Sequence, residues 1–213
     1  NNLFNWQDYQ DNTELMNDDR QAGKPMIGTL FEIYQKRCFT SGAMDFDDLL
    51  YNTFVLLRDF PDLLHKYQHK FKYILVDEFQ DTNYAQYMIV KKLAAQHENI
   101  CVVGDDAQSI YAFRGANIQN ILSFETDYPD LKTFKLEQNY RSSTRILQAA
   151  NAVIANNPKL FEKTLWSEHG AGEPIKVLAM DDDEAEADQV VIMLSAHKFE
   201  RRAKFSDYAI LYR

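Results

Sequence analysis

Asp77 and Glu78 stand side by side at the end of an apolar run, Tyr73-Ile74-Leu75-Val76, and lead into Phe79-Gln80-Asp81-Thr82-Asn83. Ile74, Leu75 and Val76 read as a strand buried on both faces, as parallel sheets have. The two acids then fall at the carboxyl end of that strand, where open α/β sheets bind ligands. In that position one carboxylate can hold a hydrated Mg²⁺ while its neighbour orients or deprotonates water, the layout of an NTP-hydrolysing site. A strand ending in Asp-Glu also describes a solvated entry into a loop.

Two further blocks carry side chains suited to the same chemistry. Val103-Gly104-Asp105-Asp106-Ala107-Gln108-Ser109-Ile110-Tyr111-Ala112-Phe113-Arg114-Gly115-Ala116 follows a second apolar run, so it too belongs at the carboxyl edge of the sheet. Gln108 there can reach a terminal phosphate and report its presence. Tyr111, Phe113 and Arg114 place two aromatic faces and a guanidinium within four residues, which is equipment for stacking unpaired bases and holding a nucleic-acid backbone. The bland reading is that both rings pack their loop onto the core. In Leu136-Glu137-Gln138-Asn139-Tyr140-Arg141-Ser142, Arg141 precedes a helix whose cap is Ser142 or Ser143. An arginine delivered onto a γ-phosphate stabilises the transferring group, and Tyr140 can stack on a base. A surface ion pair is the alternative for Arg141.

The elements that must position these residues alternate. A polar, aromatic stretch over 1–42 breaks at Gly23-Lys24-Pro25 between helices. Phe46, Leu49, Leu50, Phe54 and Leu57 recur at helical spacing behind Asp45 as N-cap, and Pro61 opens a further helix. The strand at 73–77 is followed by a helix with Ala85, Met88, Ile89 and Leu93 on one face. Ile100 to Val103 forms a second buried strand, followed by a helix near 117–127 and a third strand near 131–136. This β-α-β-α-β run predicts a parallel sheet with right-handed crossovers. Beyond Glu137 a new unit begins, with a helix around Ile146–Ile154, an irregular connection over 162–173, and strands at Ile175–Met180 and Tyr208–Tyr212. The acids at 181–184 suggest either a metal site or the N-terminal cap of a helix carrying Ala187, Val190, Val191 and Leu194; capping is the simpler account.

Composition bounds the answer. With 213 residues, 46% hydrophobic and 26% charged, the chain is that of a globular protein with one large domain or two small ones. A formal net charge of −9 argues against broad attraction to nucleic acid, so a nucleic-acid partner needs a local groove. Cys38 and Cys101 lack metal spacing, and Cys101 reads as a reduced, buried thiol in a cytoplasmic setting. No apolar run approaches the roughly 18 residues of a membrane span.

In wording and order the three blocks closely resemble the UvrD/Rep/PcrA family of superfamily-1A DNA helicases. Further matches are Met44-Asp45-Phe46-Asp47-Asp48-Leu49-Leu50 and Ala209-Ile210-Leu211-Tyr212-Arg213. The resemblance is clear from about 44 to 156 and looser to 213. It implies an α/β chain holding an incomplete RecA-like P-loop NTPase parallel sheet, with a helical remnant of the inserted 1B domain (1–42), the later part of domain 1A (43–136) and the start of a second RecA-like domain, 2A (137–213). It also implies ATP and Mg²⁺ as cofactors, with single-stranded DNA and single-strand/duplex junctions as partners. By resemblance, Asp77 holds Mg²⁺ through water, Glu78 activates the attacking water, Gln108 senses the γ-phosphate, Arg141 stabilises the phosphoryl group and Tyr140 stacks on adenine. Tyr111, Phe113 and Arg114 contact DNA; family members often carry Trp where Phe113 stands, which slightly weakens stacking.

One departure is large. The sequence holds no G-x-x-x-x-G-K-[ST] loop, since Gly23-Lys24-Pro25 lacks the first Gly and the hydroxyl residue and follows no strand. Without that loop there is no backbone cradle for phosphates and no Lys or Ser/Thr to hold them. With that loop missing and Asn1 rather than Met in first place, the chain looks like an interior slice of a longer protein, which the resemblance implies is an ATP-dependent 3′-to-5′ DNA helicase acting in DNA repair; as it stands the chain is expected to be inactive. A helicase–nuclease of the RecB/AddA kind and a catalytically inert DNA-binding or scaffolding module are the rivals.

Overall fold

The computed structural model describes residues 3–157 and 161–212, without the side chain of Arg114. The chain divides into two compact units, Asn1–Glu137 with Asn151–Thr164, and Gln138–Ala150 with Leu165–Arg213.

The first unit is predominantly helical because its helices start on strong local signals. Helix α1 (Trp6–Asp11) is closed by a reciprocal capping box between Asn5 and Asp8, and α2 (Thr13–Gln21) is capped by Asn12. The break around Gly23 separates α2 from α3 (Ile27–Thr40). In α4 (Phe46–Asp59), Asp45 accepts from the Asp48 N–H at 2.7 Å while its own N–H donates to the Asp48 carboxylate at 3.1 Å. Pro61 opens α5 (Pro61–Lys70), where its missing N–H costs nothing. Asn83 and Gln86 form a third capping box at α6 (Tyr84–Ala94), and α7 (Gln119–Asp127) completes the set.

Strands β1 (Ile74–Val76) and β2 (Ile100–Val102) pair in parallel, with Ile74 opposite Ile100, Leu75 opposite Cys101 and Val76 opposite Val102. The pairing continues past the strands, because Val103 N–H donates to Val76 C=O at 2.8 Å and Phe79 N–H donates to Val103 C=O at 2.9 Å. One face of this ribbon meets the core. Phe79, Tyr87 and Phe124 are buried together, edge to face at 5.5–5.9 Å, with Val76, Ile100, Val102, Met88, Ile121 and Tyr128 around them.

The expectation that both strands are buried on two faces is corrected here. Leu75 is 78% exposed and Cys101 is exposed rather than buried. Successive side chains on a strand alternate between faces, so the Leu75–Cys101 pair points away from the Phe79 cluster onto an uncovered face. The third strand expected at 131–136 does not form; Phe134 and Leu136 are exposed. Among the described residues the sheet therefore has two strands, and the architecture is mixed, mainly helical, around a small parallel ribbon.

In the second unit, α8 (Thr144–Ile154) begins within the unit and buries Leu147, and α9 (Asp183–Arg201) is capped by the Asp182 side chain. The first turn of α9 holds Asp183, Glu184 and Glu186 and its last turn Lys198 and Arg201, which suits the helix dipole at both ends. The strands expected at Ile175–Met180 and Tyr208–Tyr212 are absent as well, with Val177 and Leu211 almost fully exposed. An apolar run becomes a strand only when another strand satisfies its N–H and C=O groups. The pairing recorded in this unit is an isolated parallel bridge between Gln138 and Trp166, inside the irregular stretch at 162–173. Arg213 lies outside the described residues. No described helix is long and apolar enough to cross a membrane.

Candidate functional site

The acid pair is placed by the turn that comes directly after it. Phe79 is anchored in the aromatic core, and the turn Phe79–Asp81 is tied off by Thr82, whose hydroxyl donates to Phe79 C=O at 2.7 Å. To pass from β1 into this turn, Glu78 adopts φ 49°, ψ 43°, the left-handed region that a non-glycine residue rarely occupies. Such a conformation costs of order 1–3 kcal/mol and persists where the surroundings enforce it. Asp77 helps to enforce it by accepting the Glu78 N–H at 2.9 Å. Both carboxylates are left exposed at the carboxyl end of β1.

Gln80 links this edge to the next. It is 1% exposed and doubly satisfied. Its Nε2 donates to Glu78 Oε2 at 2.8 Å, and its Oε1 accepts the Asp105 N–H at 3.0 Å. Gly104 makes the approach possible, since a Cβ there would sit 2.8 Å from Gln80 Oε1. Sequence reasoning missed Gln80. Its only traces in the sequence are a polar residue beside a core aromatic and a glycine straight after the second strand.

The loop after β2 is organised around Asp105. One carboxylate oxygen caps the turn Asp106–Gln108 by accepting Ala107 N–H at 3.0 Å, and the other accepts Gln108 Nε2 at 2.8 Å. Lys163 pairs with Asp105 and, at 2.9 Å, with Asp106. Burial pushes the Asp105 carboxyl upward, but the Lys163 ammonium, Gln108 and the Ala107 N–H together hold it below the usual carboxylate range. Burial works the opposite way on Lys163, and its two carboxylate partners raise it above the ordinary lysine value. Thus Asp77, Glu78, Gln80, Asp105 and Gln108 form one continuous polar edge along the ends of β1 and β2.

Beyond it, Tyr111 precedes the turn Ala112–Arg114 and Phe113 lies within it, with ring centroids 6.0 Å apart and planes tilted by 38°. Gly115 closes the turn at φ 88°, a conformation that favours glycine. Phe113 is 77% exposed, more than a ring packing its own loop would be. The side chain of Arg114 lies outside the described residues. Tyr140 and Arg141 belong to the second unit, where both are exposed. Asn139 Oδ1 accepts the N–H groups of Arg141 and Ser142 at 2.9 and 2.8 Å, Tyr140 OH donates to Gln138 Oε1, and His169 Nε2 donates to Tyr140 C=O at 2.7 Å. The backbone around Arg141 is thus fixed while its side chain stays exposed. No group of three or more metal-ligating side chains occurs among the described residues.

Comparison with known proteins defines the class. A model of the UvrD/REP helicase N-terminal domain matches residues 1–129, and one of the UvrD-like helicase C-terminal domain matches residues 134–213. The chain belongs to the UvrD/Rep helicase family. It is 49% identical over 184 residues to the ATP-dependent DNA helicases Rep of Salmonella typhimurium and of Escherichia coli, covering 86% of this chain and 27% of each relative. It is 49% identical over 188 residues to the ATP-dependent DNA helicase PcrA of Staphylococcus epidermidis, covering 88% of this chain and 26% of that protein. The chain therefore spans about a quarter of the length of these relatives.

Proposed function

We propose that this chain supplies the water-activating, phosphate-sensing and DNA-coupling segment of an ATP-dependent 3′-to-5′ DNA helicase of the UvrD/Rep type. The observation that carries the reading is Gln80, which joins the carboxylate of Glu78 to the backbone of the loop that bears Gln108 and the exposed ring of Phe113. Hydrolysis at one end of that loop and DNA contact at the other then share one rigid connection.

In this reading Glu78 accepts a proton from the attacking water, and Gln80 orients Glu78. Gln108 donates its carboxamide N–H to a γ-phosphate oxygen. Arg141 donates to the transferring phosphoryl group, while Tyr140 stacks on adenine. Tyr111, Phe113 and Arg114 grip single-stranded DNA beside a duplex junction. Mg²⁺ is commonly held by one or two carboxylates plus substrate phosphates and keeps several waters, an arrangement that the exposed Asp77 would fit by holding the ion through water. When bound, it offsets phosphate charge. The 213 residues contain no G-x-x-x-x-G-K-[ST] loop, so the phosphate cradle is assigned to sequence outside them. We place the first RecA-like domain over 43–136, the helical 1B element over 1–42 and the second RecA-like domain over 137–213, in a cytoplasmic protein.

The test is to substitute this chain for the segment of E. coli Rep to which it is 49% identical and to measure DNA-stimulated ATPase and unwinding. The hybrid is expected to be active, and Glu78→Gln to lower turnover by about 10²-fold or more with nucleotide binding retained. Turnover within a few-fold of the parent hybrid would sink the assignment.

A further inference from the structure

Lys163 lies in the irregular stretch that the motifs leave unused, 58 residues from Asp105. It is not an ordinary surface lysine. Its side chain is 25% exposed and contacts two adjacent carboxylates, of which Asp106 is nearly buried. The backbone on either side is held as well. Phe161 N–H donates to Asp106 Oδ2 at 3.4 Å, Lys135 Nζ donates to Glu162 C=O at 2.7 Å, and Thr164 N–H donates to Glu137 Oε1 at 2.9 Å. The ammonium is thus delivered to one place.

We propose that Lys163 is a positioning residue for Gln108, acting through Asp105. The two oxygens of Asp105 divide the work: Oδ1 faces Lys163 and the Ala107 N–H, and Oδ2 holds Gln108. With Lys163 in place the adjacent Asp105 and Asp106 charges are offset, and Gln108 rests on a partly neutralised acceptor. A donor resting on such an acceptor transfers readily to a competing anion, a phosphate oxygen being the chemistry in question. Without Lys163, a fully charged Asp105 grips Gln108 more tightly, and the repulsion between the two acids loosens the turn. This role in hydrolysis rests on the reading of Gln108 as the phosphate sensor; the placement of Gln108 does not.

The test uses the ¹⁵N-labelled 213-residue chain and follows the side-chain carboxamide resonance of Gln108, assigned by its loss in Q108E, during acid titration. Lys163→Met is expected to shift that resonance and to raise the pH at which it titrates, because burial of Asp105 is then less opposed. Lys163→Arg is expected to restore both. An unmoved resonance in K163M with the Phe79 and Phe124 signals intact would overturn the proposal, as would K163R behaving like K163M. Should K163M fail to fold, Asp106→Asn decides: it keeps Lys163 on Asp105 and removes a neighbouring negative charge, so the titration midpoint must not rise, and a rise overturns the proposal. In the Rep hybrid, K163M is expected to lower DNA-stimulated kcat about tenfold or more, with recovery in K163R. Unchanged kcat beside a shifted Gln108 resonance supports the placement and removes the phosphate-sensing reading instead.

Discussion

Gly104 and Gln80 should be energetically coupled, and the coupling can be sized. In Gly104→Ala the new Cβ lies 2.8 Å from Gln80 Oε1, whereas ordinary contact begins near 3.4 Å. The carboxamide must retreat by about 0.6 Å, the difference between those distances. It has nowhere to go cheaply, being 1% exposed and bonded at both ends. Retreat stretches the 3.0 Å bond from Asp105 N–H beyond the range in which N–H···O bonds are effective. Leaving a partly buried donor unpaired costs about 1–3 kcal/mol, and disturbing without breaking the bond to a charged carboxylate adds about 1 kcal/mol. G104A should therefore destabilise the first unit by about 2–4 kcal/mol. In a Gln80→Ala background the obstacle is gone, and the same methyl should cost about 0.5 kcal/mol or less, giving a coupling of about 2 kcal/mol or more. The assay is urea unfolding of the four cycle members, followed at the amides of Phe79, Tyr87 and Phe124 so that the first unit is read by itself. Additive costs within about 0.5 kcal/mol would refute the idea that Gly104 is there to admit the Gln80 carboxamide.

Three further outcomes are expected from the same geometry. Tyr111→Ala in the Rep hybrid should weaken single-stranded DNA binding roughly ten- to a hundredfold, the worth of a stacked base, and should lower DNA-stimulated ATPase more than basal ATPase. Equal losses would assign Tyr111 to packing the loop. Phe113→Ala, which removes a 77% exposed ring, should weaken DNA binding while leaving urea unfolding within about 0.5 kcal/mol of the parent; a larger stability loss would contradict its role as an exposed stacking face. Asp127 is held below the usual carboxylate range by the Lys91 ammonium at 2.6 Å and by the Tyr87 hydroxyl. Its folded value being depressed, the stability it contributes is present above the unfolded carboxyl value of about 3.9 and is lost as pH falls through the lower folded value. The stability gap between the parent and Asp127→Asn should then shrink below about pH 4, and a gap that stays constant on acidification through that range would show that the charge of Asp127 is not what matters.

Features that a few consecutive residues can fix were legible before folding. Asn5 with Asp8, Asp45 with Asp48 and Asn83 with Gln86 start helices through bonds three residues apart, and Pro61 and Asp182 do so alone. Helical periodicity over 46–57 and 84–94 is equally local, and the motif wording around Asp77, Gln108 and Arg141 was enough to point to the family. Features that depend on a partner brought from far along the chain emerge only on folding. The apolar runs at 131–136, 175–180 and 208–212 have the composition of strands but found no ladder to join, because a strand's hydrogen bonds lie outside itself. Ile74–Val76 did find one, yet with only one face covered the apolar run could not tell which of its side chains would be buried; alternation sent Val76 to the core and Leu75 to solvent. Gln80 and Lys163 carry no signal of spacing at all. Their partners lie 25 and 58 residues away, and their importance arises only when folding brings Asp105 between them.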